Sequence, residues 1–173
     1  MDVSIEIKGL HVSIEIKGLQ ELMDRFGQFD EIAVDEFRAA MGISVETVAK
    51  LAREKAPVNL GRLRASITGK VQGGGVVTQV EGVVGAYVPY ARVMEEGADP
   101  HWPNMANLHY WVVRKLGLKG ATAERVTFMI ARAISRRGLK GHHYMRDGLS
   151  EAEPKIKAEF ERAVERIVEK LTE

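Results

Sequence analysis

Apolar and polar residues alternate along residues 3–10, which is the period of a β-strand with one buried face. The same run recurs without change at residues 12–19, with His11 between the two copies. The alternation predicts two strands. A tandem duplication, in which the second copy is the native strand and the first a spare, would produce the same repeat, so both interpretations stay open.

The geometry of strand pairing determines how the two copies would meet. With a two-residue loop at Gly9 and Leu10, every apolar residue of one copy lies opposite an apolar residue of the other, and all of them share one face. A three-residue loop would oppose apolar to polar residues throughout. Because glycine stands first in the shorter loop, as a type II′ turn prefers, we predict that loop. The predicted pairs are Ile7 with Val12, Ile5 with Ile14 and Val3 with Ile16.

After residue 19 the apolar period changes to steps of three and four residues, which predicts a long amphipathic helix over residues 20–56. Pro57 ends this helix, because proline lacks a backbone N–H and restricts the residue before it. Two β-rich runs follow at 64–72 and 76–86, separated by glycines at 73–75 that permit a tight turn. We therefore predict a β-hairpin over residues 64–86.

The second half of the chain shows the helical period in several segments. A short piece at 89–96 stops at Gly97, and longer helices are predicted at about 104–116 and 122–137. The last helix has two possible starts. It begins at the capping sequence of residues 150–154, or it starts near Met145 and kinks at Pro154.

These patterns together predict an α+β protein in which an antiparallel hairpin sheet packs against the long N-terminal helix. Its length of 173 residues, with 45% hydrophobic and 28% charged residues, is typical of one globular domain. We predict a single domain over residues 1–173. Its parts are the duplicated strand at 1–19, the helix at 20–56, the hairpin at 64–86 and a helical half at 104–173.

The composition excludes several classes of function. The net charge is +1, which gives no general attraction to nucleic acid or membranes, so partners must be recognised locally. The absence of cysteine excludes disulfides, thiol nucleophiles and cysteine-ligated metals. No apolar run approaches the roughly 20 residues of a membrane span, and the first residues do not resemble a signal peptide. We therefore expect a soluble protein with no membrane partner.

The histidines are the candidates for acid–base or metal chemistry. A metal-dependent hydrolase would use His142, His143 and Asp147. Adjacent loop histidines point in different directions, however, and no pair has the HExxH spacing that places two ligands on one helical face. No GxSxG nucleophile motif occurs. We expect no enzymatic activity, no metal and no cofactor.

A locally basic region extends from residue 114 to residue 146. It suits DNA phosphates or the acidic surface of a neighbouring subunit, and glutamates of the last helix supply such a surface in the same chain. The basic candidates are Arg114, Lys115, Arg125, Arg132, Arg136, Arg137, Lys140 and Arg146.

A second candidate surface is aromatic. Tyrosines and tryptophans cluster around the proline-containing loop at 98–103, and such residues are common at protein interfaces. We predict a subunit contact at Trp102, Tyr90 and Tyr110.

Several motifs occur in an order that resembles a known family. They are APVNLGRLRASI at 56–67, VGA at 84–86, PYA at 89–91 and EEG at 95–97. Together they resemble the head-to-tail joining (neck or tail-completion) family of long-tailed bacteriophages, the gene-product-ten-like family, and the similarity extends from residue 12 to the C-terminus. The chain departs from the family pattern at residues 59–60 and 144–145, where the family usually has an Asp-Thr-like pair and aromatic-Leu or two aromatics.

The resemblance implies a structural subunit of the virion neck, assembled in the host cytoplasm. Such a subunit oligomerises into a ring, connects the head or portal side to the tail, and lines the DNA passage. The implied partners are further copies of the chain, head-completion or connector proteins, and tail-terminator or tail-tube proteins, with passing contact to duplex DNA. Arg62 and Arg64, beside the predicted strand start, are expected at the interface. The alternative is a DNA-binding accessory protein of phage packaging.

Overall fold

The computed structural model describes residues 2–8, 11–17, 30–73 and 80–172. Their elements fall into two compact units. The sheet unit consists of Met1–Ala91 and His143–Glu173, and the inserted unit consists of Arg92–His142. The chain is α+β, with a hairpin sheet, a long first helix and further helices in the C-terminal half, as the sequence predicts. The single-domain organisation stays a prediction.

A four-stranded antiparallel sheet lies in the sheet unit. Its strands are β1 (Asp2–Lys8), β2 (His11–Lys17), β3 (Ile67–Gln72) and β4 (Glu81–Ala86), in the order β1-β2-β4-β3. The predicted register of β1 and β2 is confirmed, because Ile7 pairs with Val12, Ile5 with Ile14 and Val3 with Ile16. The loop at 9–10 and residues 74–79 lie outside the described residues. Whether the repeat has a role stays open.

The long helix α1 (Asp30–Lys55) packs on strands β3 and β4. Its apolar residues at three- and four-residue steps are buried, among them Phe37, Met41 and Val45. The helix can lie this close to the sheet because residue 82 is glycine. A β-carbon at Gly82 would lie 2.6 Å from the Met41 sulfur and from Val45 Cγ2. Residues 20–29 of the predicted helix lie outside the described part of the chain.

A short helix, α2 (Arg62–Ser66), replaces the first residues of the predicted hairpin. The run at 64–72 is predicted to be extended, but residues 64–66 are helical and β3 begins only at Ile67. Gly61 precedes the helix with a φ of +76°, which glycine adopts at little cost, and its carbonyl accepts a hydrogen bond from the Ala65 N–H. These local hydrogen bonds, together with one from the Ser66 hydroxyl to the Leu63 carbonyl, explain the helical turn.

The inserted unit begins within helix α3 (Ala91–Glu96) and contains β5 (Gly97–Ala98), α4 (Met105–Leu116), α5 (Gly120–Arg137) and β6 (Leu139–Lys140). Helices α4 and α5 pack together, and both have nearly the predicted bounds. The Asn104 side chain caps α4 by accepting a hydrogen bond from the Asn107 N–H at 3.0 Å. The antiparallel pairing of β5 with β6 is not predicted by the sequence pattern.

The last helix, α6 (Tyr144–Thr172), packs along α1 in the sheet unit. Of the two possible starts, the structure has the earlier one, and Pro154 lies inside the helix on an exposed position. The rings of Phe37 and Phe160 stack between the two helices, with centroids 6.1 Å apart. Both rings are buried, so this contact lies in the core of the sheet unit.

Candidate assembly surfaces

The aromatic residues predicted to contact a partner are all exposed. Trp102 precedes α4, Tyr110 lies on α4, and Tyr90 precedes α3. Trp102 contacts Phe128 of α5 edge to face, with ring centroids 6.0 Å apart. The Tyr110 hydroxyl accepts a hydrogen bond from the Arg114 guanidinium at 3.0 Å. Within the inserted unit, Trp102 therefore contacts α5 and Tyr110 contacts Arg114, while Tyr90 lies in the sheet unit.

The two arginines of the motif at 56–67 have different surroundings. Arg62 is exposed. Arg64 is half-buried, and its guanidinium donates to the carbonyls of Ala56 at 3.0 Å and Glu54 at 3.2 Å. These carbonyls lie at the C-terminal end of α1, where backbone acceptors have no partner within the helix. Arg64 thus caps α1, and its contact with a partner subunit stays a prediction, as does that of Arg62.

The structure divides the predicted basic region. Arg114 and Lys115 lie in the last turn of α4, and Lys140 lies in β6. Arg146 lies on α6, in the sheet unit, where it pairs with Asp147 at 3.4 Å. The remaining four basic candidates are all on α5 and all exposed: Arg125, Arg132, Arg136 and Arg137.

Three of the α5 arginines share one face. Arg125, Arg132 and Arg136 are spaced by seven and four residues, which places them above one another on a helix. None of them has an ion-pair partner among the residues that the structure describes. Phe128 and Met129 lie on the same face and are exposed. These two residues are not among the predicted surface candidates, although their three- and four-residue spacing from Arg125 places them on the same helical face.

The charges between α1 and α6 are paired, in contrast to those on α5. The Glu36 carboxylate accepts from Lys170 at 2.6 Å and from Arg166 at 2.7 Å, and its side chain is only 12% exposed. These hydrogen bonds, the one from Lys170 foremost, hold the pKa of Glu36 below its ordinary value of 4.5. At the other end of the two helices, a hydrogen bond from Lys55 at 2.7 Å lowers the pKa of Glu151. The helices therefore run antiparallel, with an ion pair at each end.

The histidines do not form a metal site in the described part of the chain. No group of three or more His, Asp or Glu residues there has a geometry that could hold a metal ion. The hydrolase hypothesis, which needs His142, His143 and Asp147, gains no support from this structure.

An open groove of about 590 Å³ lies in the sheet unit between the end of α1 and α2. Its arginines, Arg53 and Arg64, donate hydrogen bonds to backbone carbonyls, and Arg53 also pairs with Glu46 at 2.8 Å. Their role here is structural. Elsewhere, none of the described helices is both long and apolar enough to cross a membrane.

Comparison with known proteins assigns part of the chain to a family. Residues 20–97 match the model of a family described as "Bacteriophage HK97-gp10, putative tail-component". This segment is similar to the HK97 gp10-like family. The match agrees with the resemblance carried by the motifs at 56–67, 84–86, 89–91 and 95–97. No curated protein and no solved structure matches the chain.

The matched segment covers α1, α2, β3 and β4 of the sheet unit, and it also includes α3. The matched family is one of phage tail components, and this similarity is consistent with a structural role in the virion. Of the predicted interface residues, only Arg62, Arg64 and Tyr90 lie within the segment. Trp102, Tyr110 and the whole basic region follow it, so these candidates lie outside the part that the family model matches.

Proposed function

We propose that the chain is a structural subunit of the phage neck, which oligomerises into a ring, joins the head or portal side to the tail, and lines the passage for DNA. The observation that carries this proposal is the match of residues 20–97 to a phage tail-component family. The exposed aromatic residues Trp102, Tyr110 and Phe128 support oligomerisation, because aromatic side chains are enriched in the buried centres of protein interfaces.

The partners in this proposal are other copies of the chain, a head-completion or connector protein, and a tail-terminator or tail-tube protein. Strands β1 and β3 form the two edges of the described sheet, so each leaves one side of its backbone ladder without a strand partner there. We assign these edges to docking against the head-side and tail-side proteins, and the helices of the second half of the chain to ring formation.

Assembly of the purified chain tests the proposal. Size-exclusion chromatography with light scattering, followed by electron microscopy, is expected to show a ring, and mass spectrometry is expected to find the chain in purified virions. In a lysate of phage lacking the gene, we expect DNA-filled heads and separate tails. A chain that stays monomeric with its head and tail partners, and is absent from virions, would contradict the proposal.

A DNA-binding accessory protein of packaging is the second candidate, and the unpaired arginines of α5 favour it. Affinity for duplex DNA would then fall steeply with salt, with a logarithmic slope of about 0.9 for each phosphate contacted. Arg136→Glu with Arg137→Glu would abolish binding. The matched control is Lys50→Glu with Lys70→Glu, which changes the net charge equally at two exposed lysines of the sheet unit. No binding of the unmodified chain at low salt would exclude this function.

A further inference from the structure

The exposed face of α5 has an apolar centre with basic residues beside it. Phe128 is 53% exposed and Met129 is 68% exposed, and they lie between Arg125 and Arg132 on one side of the helix. Trp102 extends the apolar area through its contact with Phe128. A side chain as large as methionine, exposed beside phenylalanine and tryptophan, is unusual on a surface that only meets water.

The arginines of this face do not stabilise the helix through contacts with one another. Arg132 and Arg136 are four residues apart, a spacing at which like charges destabilise a helix. No described acidic side chain compensates them. An acidic partner surface would turn this repulsion into attraction.

Helix α6 carries the opposite pattern. Glu161 and Glu165 are exposed, four residues apart, and have no ion-pair partner among the described residues. Val168, one turn further along the same side, is 54% exposed. Glu159 of the same helix, in contrast, pairs with Arg162 and Arg166. The face of α6 that points away from α1 therefore has two acids without an ion-pair partner among the described residues, followed by an exposed apolar residue.

We propose that α5 of one copy packs antiparallel against the exposed face of α6 of a second copy. In this register Arg136 meets Glu161, Arg132 meets Glu165 and Met129 meets Val168. On α5, Arg132 follows Met129 by three residues and Arg136 follows Arg132 by four. On α6, Glu165 precedes Val168 by three residues and Glu161 precedes Glu165 by four. One antiparallel register therefore satisfies all three pairs. A parallel arrangement matches the charges but leaves Val168 beyond the end of α5.

The apolar centre of the α5 face indicates that its partner is a protein surface. DNA phosphates would satisfy the arginines but would leave Phe128 and Met129 uncovered, whereas Val168 covers Met129. The contact joins two different patches of one chain, so it is head-to-tail and can close into a ring. In this respect the inference rests on the proposed neck function, and it names the surfaces that join neighbouring subunits.

Introduced cysteines test the register, since the chain has no native cysteine. A chain with Met129→Cys is mixed with a size-tagged chain with Val168→Cys and oxidised, and the heterodimer is measured on a non-reducing gel. The matched control pairs Met129→Cys with Ser150→Cys. Ser150 is exposed on the same side of α6, eighteen residues and about 27 Å from Val168, too far for a disulfide. We expect at least a tenfold excess of heterodimer over the control, and equal yields would overturn the proposal.

Charge exchange tests the ion pairs. A chain with Arg132→Glu and Arg136→Glu, and a chain with Glu161→Arg and Glu165→Arg, are each expected to lose assembly when alone. Mixing them restores opposite charges at both contacts, so assembly returns as alternating subunits. The control with Lys50→Glu and Lys70→Glu is expected to assemble normally.

The outcomes separate this inference from the proposed function. If the unmodified chain forms rings and the charge variants assemble equally well, the α5–α6 contact is wrong while the neck function stands. If the contact forms but only closed dimers appear, the ring is wrong. Loss of duplex DNA binding in the arginine variant, with assembly unchanged, would identify the face as a DNA surface and overturn the inference.

Discussion

Replacing Phe160 with alanine is expected to remove a large share of the stability of the sheet unit. The Phe160 side chain is 1% exposed and stacks on Phe37 between α1 and α6. Truncation of a buried phenylalanine to alanine costs about 3–5 kcal/mol, of which a stacked ring pair accounts for about 1 kcal/mol. We therefore expect the free energy of unfolding to fall by about 4 kcal/mol.

Urea unfolding followed by far-ultraviolet circular dichroism measures this loss, at a protein concentration below that at which the chain assembles. With a denaturant dependence of about 2 kcal/mol per molar urea, the midpoint falls by about 2 M. Phe128→Ala is the matched control, because the same ring is removed from an exposed position. We expect that variant to lose no more than about 1 kcal/mol, because its exposed ring contacts Trp102 edge to face. Equal losses in the two variants would refute the assignment of Phe160 to the core.

A double-mutant cycle with Phe37→Ala refines the test. Because the two rings are in contact, the loss in the double variant is expected to be smaller than the sum of the single losses by about 1 kcal/mol. Strict additivity would mean that the rings do not stack in solution.

Three further predictions concern the sheet unit. The lowered pKa of Glu36 means that its ionised form stabilises the fold above about pH 4.5, and this contribution is lost as the pH falls below that value. Glu36→Gln is therefore expected to flatten this part of the pH dependence of the melting temperature. An unchanged profile would contradict the ion pairs. Gly82→Ala is expected to lower the free energy of unfolding in urea by about 1–3 kcal/mol, because the new β-carbon meets Met41 and Val45. Gly42→Ala, at a helix-interior position with open space around it, is expected to raise that free energy by about 0.5–1 kcal/mol. Destabilisation by both would argue against the close approach of α1 to β4 at Gly82. Deletion of residues 2–10 is expected to leave β2, β4 and β3 paired and unfolding cooperative, because β1 pairs with β2 alone. Loss of cooperative unfolding would show that the first copy of the repeat is not a spare.

The parts of the fold that the sequence predicted are those with a strong local period. The register of β1 and β2 follows from alternation, because a shift of one residue would turn every apolar side chain to the other face. The bounds of α4 and α5 follow from Asn104 at one end and Gly138 at the other. The pairing of β5 with β6 could not be predicted, since two-residue strands separated by two helices carry no periodic signal. The helical turn at 62–66 depends on Gly61 and on local hydrogen bonds, which cannot be predicted from the β-rich composition of this segment.

The sequence names the residues of the candidate surfaces but does not show how they are arranged. Reading residues 114–146 as one basic region grouped Arg146 with arginines that lie in another unit. It also overlooked Phe128 and Met129, because a count of charges along the chain ignores the helical period that places apolar and basic residues on one face. The capping role of Arg64 needs the three-dimensional position of the α1 carbonyls and has no signal in the sequence.

The charged residues of the chain fall into two groups, those with an ion-pair partner in the same chain and those without one among the described residues. Where α1 meets α6, Glu36 and Glu151 bind cations of the same chain, and these ion pairs connect the two long helices within one subunit. On the opposite face of α6 and on α5, charges of one sign stand together without partners among the described residues, and an exposed apolar residue lies beside each group. A monomer gains no free energy from such an arrangement, since like charges at helical spacing repel and exposed apolar area favours burial. In the contact that we propose, a second copy of the chain would remove both costs at once, which is the physical reason for assigning these two faces to assembly.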